Sequence, residues 1–186
     1  MPTTDSPPPG PGPAPLRLRA PTAEDEAALR TAHAELAGEG FGLLFEPHRP
    51  WREQLAGFER QARGTDLPAD RVPADFLVAE LALPTGPVIV GRVSIRHRLT
   101  PLLLEIGGHV GYAVRPAFRR RGHGTAMLAR SVQHLATLGV HEVLVTCDDD
   151  NIASARVIEG CGGVLEDVRH VADGVPDKLR YWIASR

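Results

Sequence analysis

Only two cysteines, Cys147 and Cys161, occur in the 186 residues. Neither stands in a C-x-x-C context, so no thiol motif is read, and two buried thiols in a reducing compartment are expected instead of a disulfide. No run of 18 apolar residues exists, which removes a membrane span. The N-terminus lacks a basic stretch followed by an apolar one, so no secretory leader is read there. Excess positive charge is missing too: the formal net charge is −2, whereas a bulk nucleic-acid binder is basic. A cytoplasmic protein with neither a membrane nor a nucleic-acid partner is expected.

What is present is ordinary for a globular chain: 42% hydrophobic and 24% charged residues. Seven of the first 15 residues are proline. Residues 1–15 are therefore expected to form a disordered tail, and 16–186 a single domain. Leu16 to Arg19 reads as a short strand. Thr22, with Asp25 three residues on, opens a helix striped by Ala28, Leu29, Ala32 and Leu36 that ends by Gly38 or Gly40. Trp51 to Gln61 reads as a second helix. Phe76 to Leu81 and Val88 to Arg98 form an antiparallel hairpin around Pro84-Thr85-Gly86-Pro87. Alternation puts Ile89, Val93, Ile95 and His97 on one face of its long strand. Thr100-Pro101 breaks that strand, and Leu102 to Ile106 reads as a brief extended stretch.

The stretch from His109 to Leu138 organises the rest. Val110, Tyr112 and Val114 alternate with His109, Gly111 and Ala113, a strand signal. Pro116 ends it. Arg119-Arg120-Arg121-Gly122-His123-Gly124-Thr125 follows, and Leu128, Val132, Leu135 and Leu138 then mark a helix face. Glycines and arginines at a helix N-terminus make an anion cradle, because the first N–H groups are free and the helix end is partly positive. A dinucleotide fingerprint is excluded, since Met127 stands where a third glycine is needed, and no Walker lysine follows. Gly139 reads as the C-cap. His141 to Cys147 is a buried strand, making a parallel, right-handed strand–helix–strand crossover. Asn151 or Asp150 caps a helix to Glu159. Val164 to Val171 and Leu179 to Ile183 close a final hairpin around Asp173-Gly174.

Arg119, Gly122 and Gly124 fill the defined positions of [Q/R]-x-x-G-x-[G/A]. With Val114 and Pro116 before them and Asp150-Asn151-Ile152-Ala153-Ser154 after, the chain resembles the GCN5-related N-acetyltransferases (GNAT), over about residues 16 to 184. Within that superfamily it is similar to a bacterial group of acetyltransferases with unassigned substrates. The resemblance implies an α/β fold: a mixed, mostly antiparallel sheet flanked by helices, with one parallel strand pair, Tyr112–Val114 and Val143–Cys147, that splays to hold the cofactor. It implies acetyl-CoA as cosubstrate, with its pyrophosphate on Arg119, Arg120, Arg121, Gly122, His123, Gly124 and Thr125. The pantetheine arm would meet Val114, where a strand bulge turns an N–H to the thioester carbonyl, and then Asn151 and Ser154. Phe41, Phe45 and Trp51 would stand in the acceptor wall or in the core.

Acyl transfer to an amine also needs a base. Glu105, His109 and His97 are the candidates, Glu105 and His109 on a par and His97 after them. Ile158 stands seven residues after Asn151, where many members carry a tyrosine that protonates the leaving thiolate, so no general acid is assigned. Asp148, Asp149 and Asp150 point apart along extended chain and lack a histidine at ligand spacing, so no metal is expected. The resulting expectation is transfer of an acetyl group to a primary amine, small molecule or peptide, by direct attack. A CoA-binding regulatory module without turnover, or an acyltransferase using another acyl-CoA or a hydroxyl acceptor, remain as alternatives. A homodimer through a sheet edge or the final hairpin is open.

Overall fold

A computed structural model describes residues 16–39, 41–44 and 46–185. The proline-rich segment 1–15, Gly40 and Phe45 lie outside the described residues. Strand β1 is Leu16–Arg19, followed by a 3-10 turn over Ala23–Asp25 and helix α1, Glu26–Ala37. Helix α2 is Trp51–Arg63, and strands β2, Ala74–Leu83, and β3, Gly86–Arg96, form the hairpin. Next come α3, Pro101–Glu105, β4, Val110–Val114, and α4, His123–Thr137. Strand β5, Glu142–Asp148, α5, Ile152–Gly160, β6, Val164–Arg169, and β7, Lys178–Ala184, complete the order. No described helix is long and apolar enough to cross a membrane.

The strands form two sheets, β1-β2-β3-β4 and β5-β7-β6, and every ladder is antiparallel. This overturns the expected parallel pair and crossover. β4 and β5 do touch at one point, where His109 N–H donates to Leu144 C=O at 2.7 Å. The reciprocal position is taken by a side chain: Leu144 N–H donates to His109 Nδ1 at 2.9 Å. An imidazole thus satisfies the donor that a second rung would use, and the other edge of β5 is already paired with β7.

Two apolar layers flank the four-stranded sheet. Leu29, Leu36, Trp51, Phe76, Val78 and Ala113 pack α1 and α2 on one face. On the other, Val93, Ile95, Met127, Leu128 and Leu135 pack α4, continuous with Val143, Val145 and Ile183 of the second sheet. Ile89 departs from the face read for it. β2 pairs Ala79 with Gly91 and Glu80 with Ile89, leaving Val90 as an extra residue. That bulge reverses the alternation, so Val90 enters the α4 layer while Ile89 enters the α1–α2 layer.

The expected extended stretch after Thr100 is instead α3. Thr100 Oγ1 accepts from Leu103 N–H at 3.2 Å, and Pro101 sits at the first helical position, where it loses no hydrogen bond. At the end of α4, Gly139 takes φ +79°. Val140 N–H bonds to Leu135 C=O and Gly139 N–H to Ala136 C=O, closing the last carbonyls in a Schellman pattern.

Candidate active site

The cradle is built by the chain leaving β4. After a 3-10 turn at Pro116–Phe118, Arg120 takes φ +60° and Gly122 φ +77°. α4 starts at once, and its first intrahelical bond runs from Ala126 N–H to Gly122 C=O, 3.0 Å. The N–H groups of His123, Gly124 and Thr125 therefore have no acceptor inside the helix and carry its positive end. A Cβ on Gly122 would meet open space, so the left-handed backbone is what demands glycine there. A Cβ on Gly124 would make ordinary contacts, 3.5 Å to Val157 and 3.7 Å to Tyr112.

The arginines divide into tethers and free charges. Arg119 Nε donates to Val114 C=O at 3.0 Å, and its two Nη groups hold Glu39 at 3.1 and 2.5 Å. Arg115 grips Glu35 at 2.8 and 2.6 Å and Ile89 C=O at 2.9 Å. The guanidinium groups keep both carboxyls below the usual carboxylate range. The C-terminal turn of α1 is thereby clipped to the loop. Arg120 and Arg121 are exposed and form no ion pair among the described residues.

The free edge of β4 faces the same region. Arg115 N–H donates to Val90 C=O at 2.8 Å, so Arg115, Ala113 and Gly111 pair with β3, while the main-chain groups of Val114, Tyr112 and Val110 point away from it. The β3–β4 register is unbroken, so the bulge expected beside Val114 is absent; the bulge of this sheet is Val90, in β3. Beyond that edge, Asn151 caps α5 through its side-chain oxygen, which accepts from Ser154 N–H at 3.0 Å. Its amide NH₂ stays available to donate. Ser154 Oγ lies 3.0 Å from Tyr112 Oη. Burial pushes the Tyr112 phenol up to about 12, so it stays protonated. Burial raises the neighbouring Cys147 thiol as well. Alternation in β4 showed which way Tyr112 points, but its partner on α5 is a tertiary contact with no sequence signal.

The three candidate bases are not brought together. His109 is 6% exposed, and burial, with Arg96 nearby, lowers it to about 4. Its Nδ1 must keep a lone pair for Leu144 N–H, which puts the ring proton on Nε2. Neither nitrogen is then free to take a proton from an amine, and the ring joins β4 to β5. Glu105 ends α3, is 56% exposed, and pairs with Arg169 at 3.4 Å. His97 follows β3 and bonds Asp75 at 2.8 Å. Of the three consecutive aspartates, Asp148 is the last residue of β5 and pairs with Lys178.

A family profile described as an acetyltransferase (GNAT) domain matches residues 15–164. The chain belongs to the GNAT acetyltransferase family. Solved GNAT-like structures agree in fold. Mycobacterium smegmatis RimJ in complex with CoA-disulfide superposes with a TM-score of 0.67 at 22% identity, covering 94% of this chain and 86% of that one. Spermidine N-acetyltransferase from Vibrio cholerae, in complex with CoA and spermine, gives 0.64 at 16% identity over 91% and 93%. A GNAT-family acetyltransferase from Bacillus anthracis gives 0.64 at 17% over 94% and 97%. Comparison with curated proteins returns no match.

Proposed function

We propose that residues 16–186 act as an acetyl-CoA-dependent N-acetyltransferase that transfers an acetyl group to a primary amine by direct attack. The observation carrying this reading is the α4 N-terminus, where three N–H groups without a partner among the described residues open behind the left-handed Gly122. That cradle fits a pyrophosphate. In this reading the amides of His123, Gly124 and Thr125 hold the phosphates, Arg120 and Arg121 add charge, and Arg119 shapes the loop through Val114 and Glu39. The β4 edge at Tyr112 and Val114 and the Asn151 amide align the pantetheine arm.

The amine nitrogen attacks the thioester carbonyl carbon, a C–N bond forms, and the C–S bond breaks. The sulfur leaves as thiolate, a modest leaving group needing no obligatory acid because a thiol titrates near 8.5. The Tyr112 hydroxyl, beside Ser154, supplies a hydrogen bond on that side in place of the hydroxyl that Ile158 lacks. The amine enters as its free base, its nitrogen releases one proton to water as the amide forms, and no side chain is assigned to take that proton.

Calorimetry with acetyl-CoA on the wild type, Arg119→Ala and Gly122→Val tests the cradle. Each change should weaken binding at least about tenfold, about 1.4 kcal/mol, because Arg119 ties the loop to Val114 and Glu39 and Gly122 holds its left-handed turn. Equal binding by all three folded proteins would remove the cradle from the reading. Release of CoA thiol across a panel of amines then separates an enzyme from a module that only binds.

A further inference from the structure

Asp75, His97 and His134 meet from three elements, at positions that the acyl-transfer site does not use. Asp75 is the second residue of β2, His97 follows β3, and His134 lies in the last turn of α4. His97 Nε2 and His134 Nε2 each lie 2.8 Å from the same atom, Asp75 Oδ2. The three donor atoms fall within 4.8 Å of one another. The hairpin dictates the first half of this arrangement. Asp75 faces Ile95 across the ladder, and His97 N–H donates to Pro73 C=O at 2.9 Å, so Asp75 and His97 are diagonal neighbours on the face that α4 covers. His134, three residues after buried Ser131, brings the third ligand across.

Two imidazoles aimed at one carboxylate oxygen form an unusual polar cluster. As plain hydrogen bonds, both rings must carry their proton on Nε2 and share one acceptor atom, while nothing among the described contacts engages the other ring nitrogens. With the Nε2 lone pairs free instead, the same atoms make a two-histidine, one-carboxylate ligand set. Tetrahedral ligands about 2.1 Å from zinc stand about 3.4 Å apart, a spacing bracketed by the 2.8 Å contacts and the 4.8 Å limit of this set. Nitrogen-rich ligation selects zinc-class ions over magnesium or calcium, which take oxygen ligands. An approach is open: none of the three side chains is fully buried, with Asp75 18%, His97 22% and His134 38% exposed.

We infer that Asp75, His97 and His134 bind a zinc-class divalent cation, with water as the remaining ligand, and that the ion fastens the end of α4 to the β2–β3 hairpin. The site is separate from acyl transfer. His134 stands eleven positions beyond His123 in α4, about 16 Å along the axis at 1.5 Å per residue.

The test uses the full chain, stripped with a chelator and desalted. Zn²⁺ is titrated against a chromophoric chelator, and Co²⁺ is followed by its visible d–d bands. Stoichiometric binding is expected in the wild type, weakened at least about tenfold by His134→Gln and by Asp75→Asn, since even outer-shell losses cost that much. Zn²⁺ should raise the melting temperature of the wild type and leave that of His134→Gln unchanged, with acetyl-CoA binding the same in both. His134 is the most exposed of the three, so this variant keeps the test valid if Asp75→Asn does not fold. No stoichiometric binding, equal binding by wild type and His134→Gln, or Mg²⁺ binding as well as Zn²⁺ would each overturn the site.

Discussion

Asn151 does two jobs with the two ends of one amide, and substitution separates them. Its oxygen caps α5 by accepting from Ser154 N–H, a contact worth about 1 kcal/mol. Its NH₂ is the group proposed to meet the pantetheine arm. Asn151→Asp keeps the cap, and its negative charge suits a helix N-terminus. Thermal unfolding should therefore be unchanged or slightly higher, while calorimetry should show weaker acetyl-CoA binding. Asn151→Ala should lose both. If Asn151→Asp binds acetyl-CoA like the wild type, the NH₂ has no part in the site. Tyr112→Phe makes the parallel case for the hydroxyl pair. It removes the partner of Ser154 Oγ while keeping the ring in the core, and turnover should fall on the order of tenfold with acetyl-CoA affinity little changed. An equal loss of affinity in direct binding would assign the hydroxyl to holding the arm instead of assisting the leaving sulfur.

Among the elements, the contact between β4 and β5 departs furthest from expectation. Gly108 precedes it with φ +57°, and a Cβ there would lie 2.4 Å from Leu144 C=O. Gly108→Ala meets both a left-handed backbone, costing about 1–2 kcal/mol, and backbone overlap. A fall in melting temperature of at least roughly 4 °C is expected; an unchanged transition would show that the sheets are not joined through this contact. α4 and its loop were legible because a helical stripe, two glycines and a proline stop are local signals. The β4–β5 relation was not, because strand–helix–strand order reads as a parallel ladder and hides that the His109 ring takes the Leu144 N–H. The Val90 bulge was equally hidden, since alternation by itself does not mark where an extra residue is tolerated. α3 was missed despite a readable signal, Thr100 as cap followed by Pro101. Asp75, His97 and His134 are separated in sequence by 22 and 37 positions, and only the packing of α4 on the hairpin unites them.

Across the whole molecule, the shifted groups that dominate the polar frame favour neutral over acidic solution. At the start of the fold, Asp25 and Glu80 share Arg19, with contacts of 2.5 to 2.8 Å, and Arg17 adds a further one to Glu80. Hydrogen bonds from these arginines hold both carboxyls below their ordinary values. Their stabilisation is complete above the unfolded carboxylate range and is lost as pH falls through the lower folded values. His109 acts earlier. Burial lowers it from 6.5 to about 4, so between those values the unfolded chain binds a proton that the folded chain refuses. Stability should rise with pH across that window by about 1.4 kcal/mol per unit from this one group. As pH is lowered from 8 to 4, the melting temperature should therefore decline well before the carboxylates titrate. His109→Asn retains an acceptor for Leu144 N–H without a titrating ring. It should melt lower at neutral pH through lost packing, with a flatter profile between pH 6.5 and 4 and the same steep fall below it. A wild-type slope preserved in His109→Asn would move the early acid sensitivity away from the β4–β5 contact to another part of the molecule.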